Sequence, residues 1–151
     1  MATKLFLNTK VIAVKKYSAT IYNYAAELQE EETTQNTQAL IVDDEVDICY
    51  LLKNILRQQK INADYVTSLS EAKDYLKFYE PSVIFLDNYL VDGLGINHIH
   101  EIKKEHPESK VVVITAHDNI SDREKAYKEG ADFFISKPFS RESIIKTLNK
   151  M

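Results

Sequence analysis

Three runs of apolar residues stand in the chain without a polar break: Ala39-Leu40-Ile41-Val42, Val83-Ile84-Phe85-Leu86 and Val111-Val112-Val113-Ile114. Runs this short, bounded by turn or polar residues, read as strands buried on both faces of a parallel sheet. Two weaker strands, Ala63 to Thr67 and Asp132 to Ser136, mix apolar with polar positions. Segments with apolar residues at helical spacing lie between and after these strands. The first, from about Glu45 to Lys60, presents Ile48, Leu51, Leu52 and Ile55. The second opens on the capping box Ser68-Leu69-Ser70-Glu71 and carries Leu69, Ala72, Leu76 and Tyr79. A third carries Ile96, Ile99 and Ile102 and stops before Pro107; a fourth is capped by Ser121 with Glu124 and ended by Gly130; a fifth carries Ile144, Ile145 and Leu148. Five strands alternating with five helices predict an α/β domain, a doubly wound parallel sheet covered on both faces.

Residues 1–38 break this pattern and are expected to be an extension to a domain spanning 39–151. Leu5 to Val14 reads as a strand or hairpin arm, Ser18 to Glu32 as a short helix, and Thr33 to Gln38 as a polar linker. So little apolar surface predicts a poorly ordered tail, or an element that docks on a partner or on the domain itself.

Composition narrows the class. A chain of 151 residues with 44% hydrophobic residues and a formal net charge of -4 has room for one domain of ordinary size and no general attraction to nucleic acid or anionic membrane. The single Cys49 excludes an internal disulfide and a cysteine-based zinc site, and suits a reducing compartment. No apolar run approaches the roughly 20 residues of a membrane helix. The expected location is the cytoplasm.

Candidate chemistry sits where the strands end. The first strand runs into Asp43-Asp44, the third into Asp87, the fourth into Thr115 and the fifth into Lys137. Ligands of open α/β sheets bind beyond the carboxyl ends of the strands, so these residues are expected in one crevice. Three converging carboxylates repel one another unless a cation sits among them. An oxygen-only site with no histidine or cysteine beside it suits Mg²⁺ better than zinc, and Mg²⁺ commonly shares its site with a phosphoryl group. Thr115 as a hydroxyl donor and Lys137 as a fixed positive charge complete a pocket for a phosphoryl group carried by one carboxylate.

Residues 39–151 resemble the receiver domain of response regulators from two-component signalling. The resemblance rests on Leu40-Ile41-Val42-Asp43-Asp44-Glu45, Leu86-Asp87-Asn88-Tyr89-Leu90-Val91-Asp92-Gly93-Leu94-Gly95, Val113-Ile114-Thr115-Ala116 and Gly130-Ala131-Asp132-Phe133-Phe134-Ile135-Ser136-Lys137-Pro138-Phe139. It implies a flavodoxin-like sheet of strand order 2-1-3-4-5. It implies that Asp87 accepts a phosphoryl group from the phosphohistidine of a sensor histidine kinase or phosphotransfer protein, and that a downstream protein target reads the result. By the same resemblance Asp44, Asp87 and the backbone carbonyl of Tyr89 bind Mg²⁺ directly, and Asp43 acts largely through water. Lys137 pairs with the phosphoryl oxygens, Thr115 hydrogen-bonds one of them, Phe134 is the aromatic that turns inward, and the bond before Pro138 is cis. The expected assembly is a monomer or a phosphorylation-dependent dimer that does not bind nucleic acid directly.

Three departures from the family pattern are visible. Val91 stands where proline is common, which predicts a more mobile loop. Phe134 replaces the commoner tyrosine and has no hydroxyl to lock its inward position. Tyr89 and His117 are placed to shade the phosphoryl group; His98, His100, His106 and His117 are otherwise expected at the surface. The leading expectation is a single-domain response regulator, a phosphorylation switch and not an enzyme acting on other substrates. The alternatives are an aspartyl-nucleophile Mg²⁺-dependent phosphatase, which wants a second acid where Tyr89 stands, and a phosphorylation-independent binding module.

Overall fold

The computed structural model describes residues 38–151; the expected extension lies outside the described residues, except that Gln38 already belongs to the first strand. Five parallel strands form the sheet: β1 (Gln38–Val42), β2 (Asn62–Val66), β3 (Val83–Asp87), β6 (Lys110–Thr115) and β7 (Phe133–Ser136). Their order is β2-β1-β3-β6-β7, which is 2-1-3-4-5 when only these strands are counted. The helices are α1 (Val46–Gln58), α2 (Leu69–Leu76), α3 (Ile99–Glu105, preceded by a 3₁₀ turn at Gly95–His98), α4 (Ile120–Glu129) and α5 (Arg141–Leu148). The remaining strands, β4 (Tyr89–Leu90) and β5 (Gly93–Leu94), make a two-stranded hairpin inside the loop after β3, which the apolar pattern did not predict.

Alternation along each strand divides the core in two. Leu40, Val42, Ile84, Leu86, Val111 and Val113 pack with Leu69, Ala72, Ile99, Ile102 and Ala126 from α2, α3 and α4. Ala39, Ile41, Phe85, Val112 and Ile114 face the other way, onto Cys49, Leu52, Leu56 and Ile144 from α1 and α5. The helical stripes are shifted in places from the expected ones. Leu51 is exposed and Cys49 is buried, while Tyr79 lies beyond the end of α2 and faces solvent.

The helix ends follow local chemistry. Ser68 Oγ accepts from the Glu71 amide at 3.1 Å, one half of the expected capping box, while the Glu71 carboxylate accepts from the Thr67 amide at 2.7 Å in place of the Ser68 amide. The cap of α4, however, is Asn119 and not Ser121: its Oδ1 accepts from the Asp122 amide at 2.8 Å, so the helix starts two residues earlier than expected. Gly130 ends α4 with φ +110°, a left-handed conformation that favours glycine. Among the described residues no helix is long and apolar enough to cross a membrane.

Candidate functional site

Asp43 and Asp44 follow the last residue of β1, Asp87 closes β3, Thr115 closes β6 and Lys137 follows β7. These four strands are parallel and adjacent, so all five residues arrive at one rim of the sheet. Ligand oxygens of Asp43, Asp44 and Asp87 lie within 4.8 Å of one another. Lys137 reaches into this group: its Nζ is 2.7 Å from Asp43 Oδ2 and 3.5 Å from Asp87 Oδ2. The lysine is almost sealed from solvent, at 8% side-chain exposure, and so is Asp87 at 7%.

Burial and charge set the protonation of the cluster. Burial pushes the Asp87 carboxyl up to about 6 from an ordinary 3.8, and the neighbouring Asp43 charge adds to this. Lys137 and the backbone amides of Tyr89 and Asn88 pull the other way without cancelling the effect. For Lys137, burial alone disfavours the ammonium, but hydrogen bonds to Asp43 and Glu45 and the charge of Asp87 outweigh it and hold the lysine firmly protonated. Three carboxylates around one lysine leave an excess of negative charge. The donor set is all oxygen, so the residues fit a hard divalent cation such as Mg²⁺.

The surrounding contacts hold these side chains in place. Asp43 Oδ1 accepts from the Glu45 amide at 2.9 Å, and the Lys137 amide donates to the Thr115 carbonyl at 2.8 Å, joining β7 to β6 at the rim. The Lys137–Pro138 bond is cis, as the resemblance implies. Cys49 is fully buried, and its thiol contacts the Asp43 carbonyl at 3.2 Å; burial raises that thiol to about 11, so it is inert at neutral pH.

The loop beyond Asp87 is tied at several points despite Val91 at its tip. Asn88 Oδ1 accepts from the Ile96 amide at 3.0 Å, and the Asn88 carbonyl accepts from the Gly95 amide at 2.8 Å. The two oxygens of Asp92 each accept a backbone N–H, from Leu69 and Ser70, at 2.9 Å, capping α2 from outside its own sequence. A Cβ at Gly95 would lie 2.2 Å from the Asp87 carbonyl oxygen, so the close approach of this turn to the acid requires glycine.

Thr115 is fully buried, and its Oγ1 accepts from the His117 amide at 3.1 Å. Tyr89 and His117 meet, with ring centroids 4.3 Å apart, and the Tyr89 hydroxyl donates to Asp122 at 3.2 Å. Phe134 is already inward, packed in the core on the α2–α4 face. Of the histidines, His100 and His117 are exposed as expected; His98 and His106 are only partly so, and the buried Nδ1 of His106 has no partner among the described residues. The assignment of the Tyr89 carbonyl to a metal rests on the resemblance.

Residues that sequence reasoning passed over also belong to the site. Glu45 Oε1 lies 2.9 Å from Lys137 Nζ, closer than Asp87 does. Its place directly after Asp43-Asp44 in the acidic motif is the sequence signal for this role. Asp92 is a second case, lying within the loop motif while its partners are 22 and 23 residues earlier.

Comparison with known proteins agrees with this geometry. The family model "Response regulator receiver domain" matches residues 39–149, and the chain belongs to that family. It is 40% identical over 110 residues to the nitrogen assimilation regulatory protein NtrX of Azorhizobium caulinodans, covering 70% of this chain and 24% of that protein. It is 35% identical over 101 residues to the response regulator protein PilR of Pseudomonas aeruginosa, covering 67% of this chain and 23% of that one. The chain thus spans about a quarter of the length of these relatives. Among solved structures, the beryllofluoride-activated NtrC4 receiver domain dimer aligns with a TM-score of 0.72 and 38% identity, over 76% of this chain and 94% of that one.

Proposed function

We propose that this receiver domain is a phosphorylation switch in which Asp87 takes a phosphoryl group from a phosphohistidine on a histidine kinase or phosphotransfer protein. The observation that carries the reading is the gathering of Asp43, Asp44, Asp87 and Lys137 at one buried rim, with Thr115 at the end of the adjoining strand. An Asp87 oxygen attacks phosphorus, the P–N bond to the imidazole breaks, and an acyl phosphate forms. Mg²⁺, when bound by Asp43, Asp44 and Asp87, supplies charge neutralisation on the transferring group.

The chain's own residues supply the rest. Lys137, already protonated and poised 3.5 Å from Asp87, has to leave Asp43 and Glu45 in part to pair with phosphoryl oxygens. Thr115 Oγ1 accepts from the His117 amide, which leaves its hydroxyl hydrogen to donate to a phosphoryl oxygen, a strong acceptor. Movement of this hydroxyl shifts the loop ahead of α4, and the face around α4 and β7 is what a downstream protein reads. Cytoplasmic location and an output through protein binding belong to the same reading. Tyr89 in place of a second acid weighs against the phosphatase alternative.

The experiment is intact-protein mass spectrometry after incubation with acetyl phosphate. A Mg²⁺-dependent gain of one phosphoryl group that is lost with chelator and in Asp87→Asn supports the reading. A protein that stays unmodified, or an Asp87→Asn variant labelled to the same level, overturns it.

A further inference from the structure

Asp118 lies in the loop three residues beyond Thr115 and just ahead of α4. Arg123 of α4 grips its carboxylate: Nη2 lies 2.7 Å from Oδ1 and 2.8 Å from Oδ2, with Nε 3.2 Å from Oδ1. The same carboxylate accepts the hydroxyl of Ser136, the last residue of β7 and the immediate neighbour of Lys137. Arg123 also lies over the Phe134 ring, with Cζ 4.6 Å from the centroid. Phe134 is 9% exposed and packs in the cluster that contains Ala126 and Ala131. One carboxylate therefore ties the loop after Thr115 to α4 and to the strand that carries Phe134 and leads into Lys137.

We propose that Asp118, Arg123 and Phe134 form a clasp that holds the switch aromatic inward before any phosphoryl group arrives. The inference deepens the function proposed above and rests on it. A guanidinium suits this task because its planar fork satisfies a carboxylate along one edge while its face stacks on an aromatic ring. Phe134 has no hydroxyl through which a hydrogen bond could fix it, so the stacked cation is its polar restraint. The Ser136 contact makes the restraint responsive: a loop that moves with Thr115 carries Asp118, and Asp118 carries Arg123. With the ring held inward in advance, less of the affinity for a phosphoryl group is spent on ordering this face.

The test uses the full chain with Mg²⁺ and beryllofluoride as phosphoryl mimic, titrated by NMR. Arg123→Met, which keeps an apolar stem but loses the fork, weakens beryllofluoride binding by about two- to fivefold, the factor that a partly exposed cation–π contact supplies. Asp118→Asn does the same without touching the ring. Mg²⁺ affinity is unchanged in both. In a Phe134→Leu background the Arg123→Met effect disappears, and the upfield, ring-shifted Arg123 Nε–H resonance of the wild type is lost. Unchanged or tighter beryllofluoride binding in folded Arg123→Met overturns the clasp, as does an equal penalty in the Phe134→Leu background. A wild-type protein that binds no beryllofluoride overturns the receiver mechanism instead, and the Arg123 resonance then decides the clasp alone.

Discussion

Removing the charge of Asp87 should stabilise the metal-free domain, although it removes the residue on which the proposed chemistry depends. A carboxyl pushed from 3.8 to about 6 places, at 1.36 kcal/mol per pH unit, about 3 kcal/mol against its ionised form. Relaxation of the side chains around the buried carboxylate reduces this to about 1–2 kcal/mol. Asp87→Asn keeps the shape, and Lys137 keeps Asp43 at 2.7 Å and Glu45 at 2.9 Å. At pH 7.5 in chelator the variant should melt about 3–8 °C above the wild type for a domain of this size. The sign follows from proton binding. The folded state holds the Asp87 proton more tightly than the unfolded chain, so the penalty is absent below pH 3.8, grows between about 4 and 6, and is complete above 6. The advantage of the variant should therefore shrink as pH falls through that window. Saturating Mg²⁺ should narrow the gap or reverse it, because binding to the folded state favours the intact cluster. Thermal melts by circular dichroism at pH 4.5, 6 and 7.5, with and without Mg²⁺, measure all of this. An Asp87→Asn protein no more stable than wild type at pH 7.5 in chelator, or an advantage that does not depend on pH, would refute the reasoning.

The same cluster and its loops carry further consequences. The apparent Mg²⁺ affinity should rise about tenfold between pH 5 and pH 7, because the fraction of Asp87 ionised rises by that factor around a value of about 6; calorimetric titration at both pH values checks it, and a flat profile contradicts it. Gly95→Ala should destabilise the domain by about 1–3 kcal/mol, since the new Cβ meets the Asp87 carbonyl at 2.2 Å; an unchanged urea midpoint would show that the turn yields freely. Asp92→Ala should cost about 1 kcal/mol by stripping two amide partners from the start of α2, and Asp92→Asn should recover part of it. Equal losses in both would mean that the cap is not what Asp92 contributes.

What could be read before the fold was known depended on how locally each feature is encoded. The apolar runs at residues 39–42, 83–86 and 111–114 identify strands because both faces of this sheet are covered, so every side chain in them is buried. The acids and the lysine were legible as a group because a parallel sheet delivers all strand ends to one rim, whatever the connecting helices do. Features that depend on a choice among near-equivalents were less so. Asn119 and Ser121 both cap helices well, and only the path of the loop selects Asn119. On α1 the apolar residues outnumber the positions of one face: Cys49, Leu52 and Leu56 share the inward side, and Leu51, two residues from Cys49, lies on the opposite one. Contacts between distant residues left no pattern: Glu45 meets Lys137 across 92 positions, and Asp118 meets Ser136 across 18. The hairpin at Tyr89–Leu94 has arms of two residues, too short for any alternation to show.

The central claim is that a phosphoryl group lands on Asp87 and on no other acid of the cluster. Reductive trapping with borohydride after Mg²⁺-dependent phosphorylation, followed by peptide mass spectrometry, converts the acylated aspartate to homoserine and reads its position. The account predicts homoserine at position 87 alone. Homoserine at position 43 or 44, or none in a protein that has gained a phosphoryl group, would contradict it.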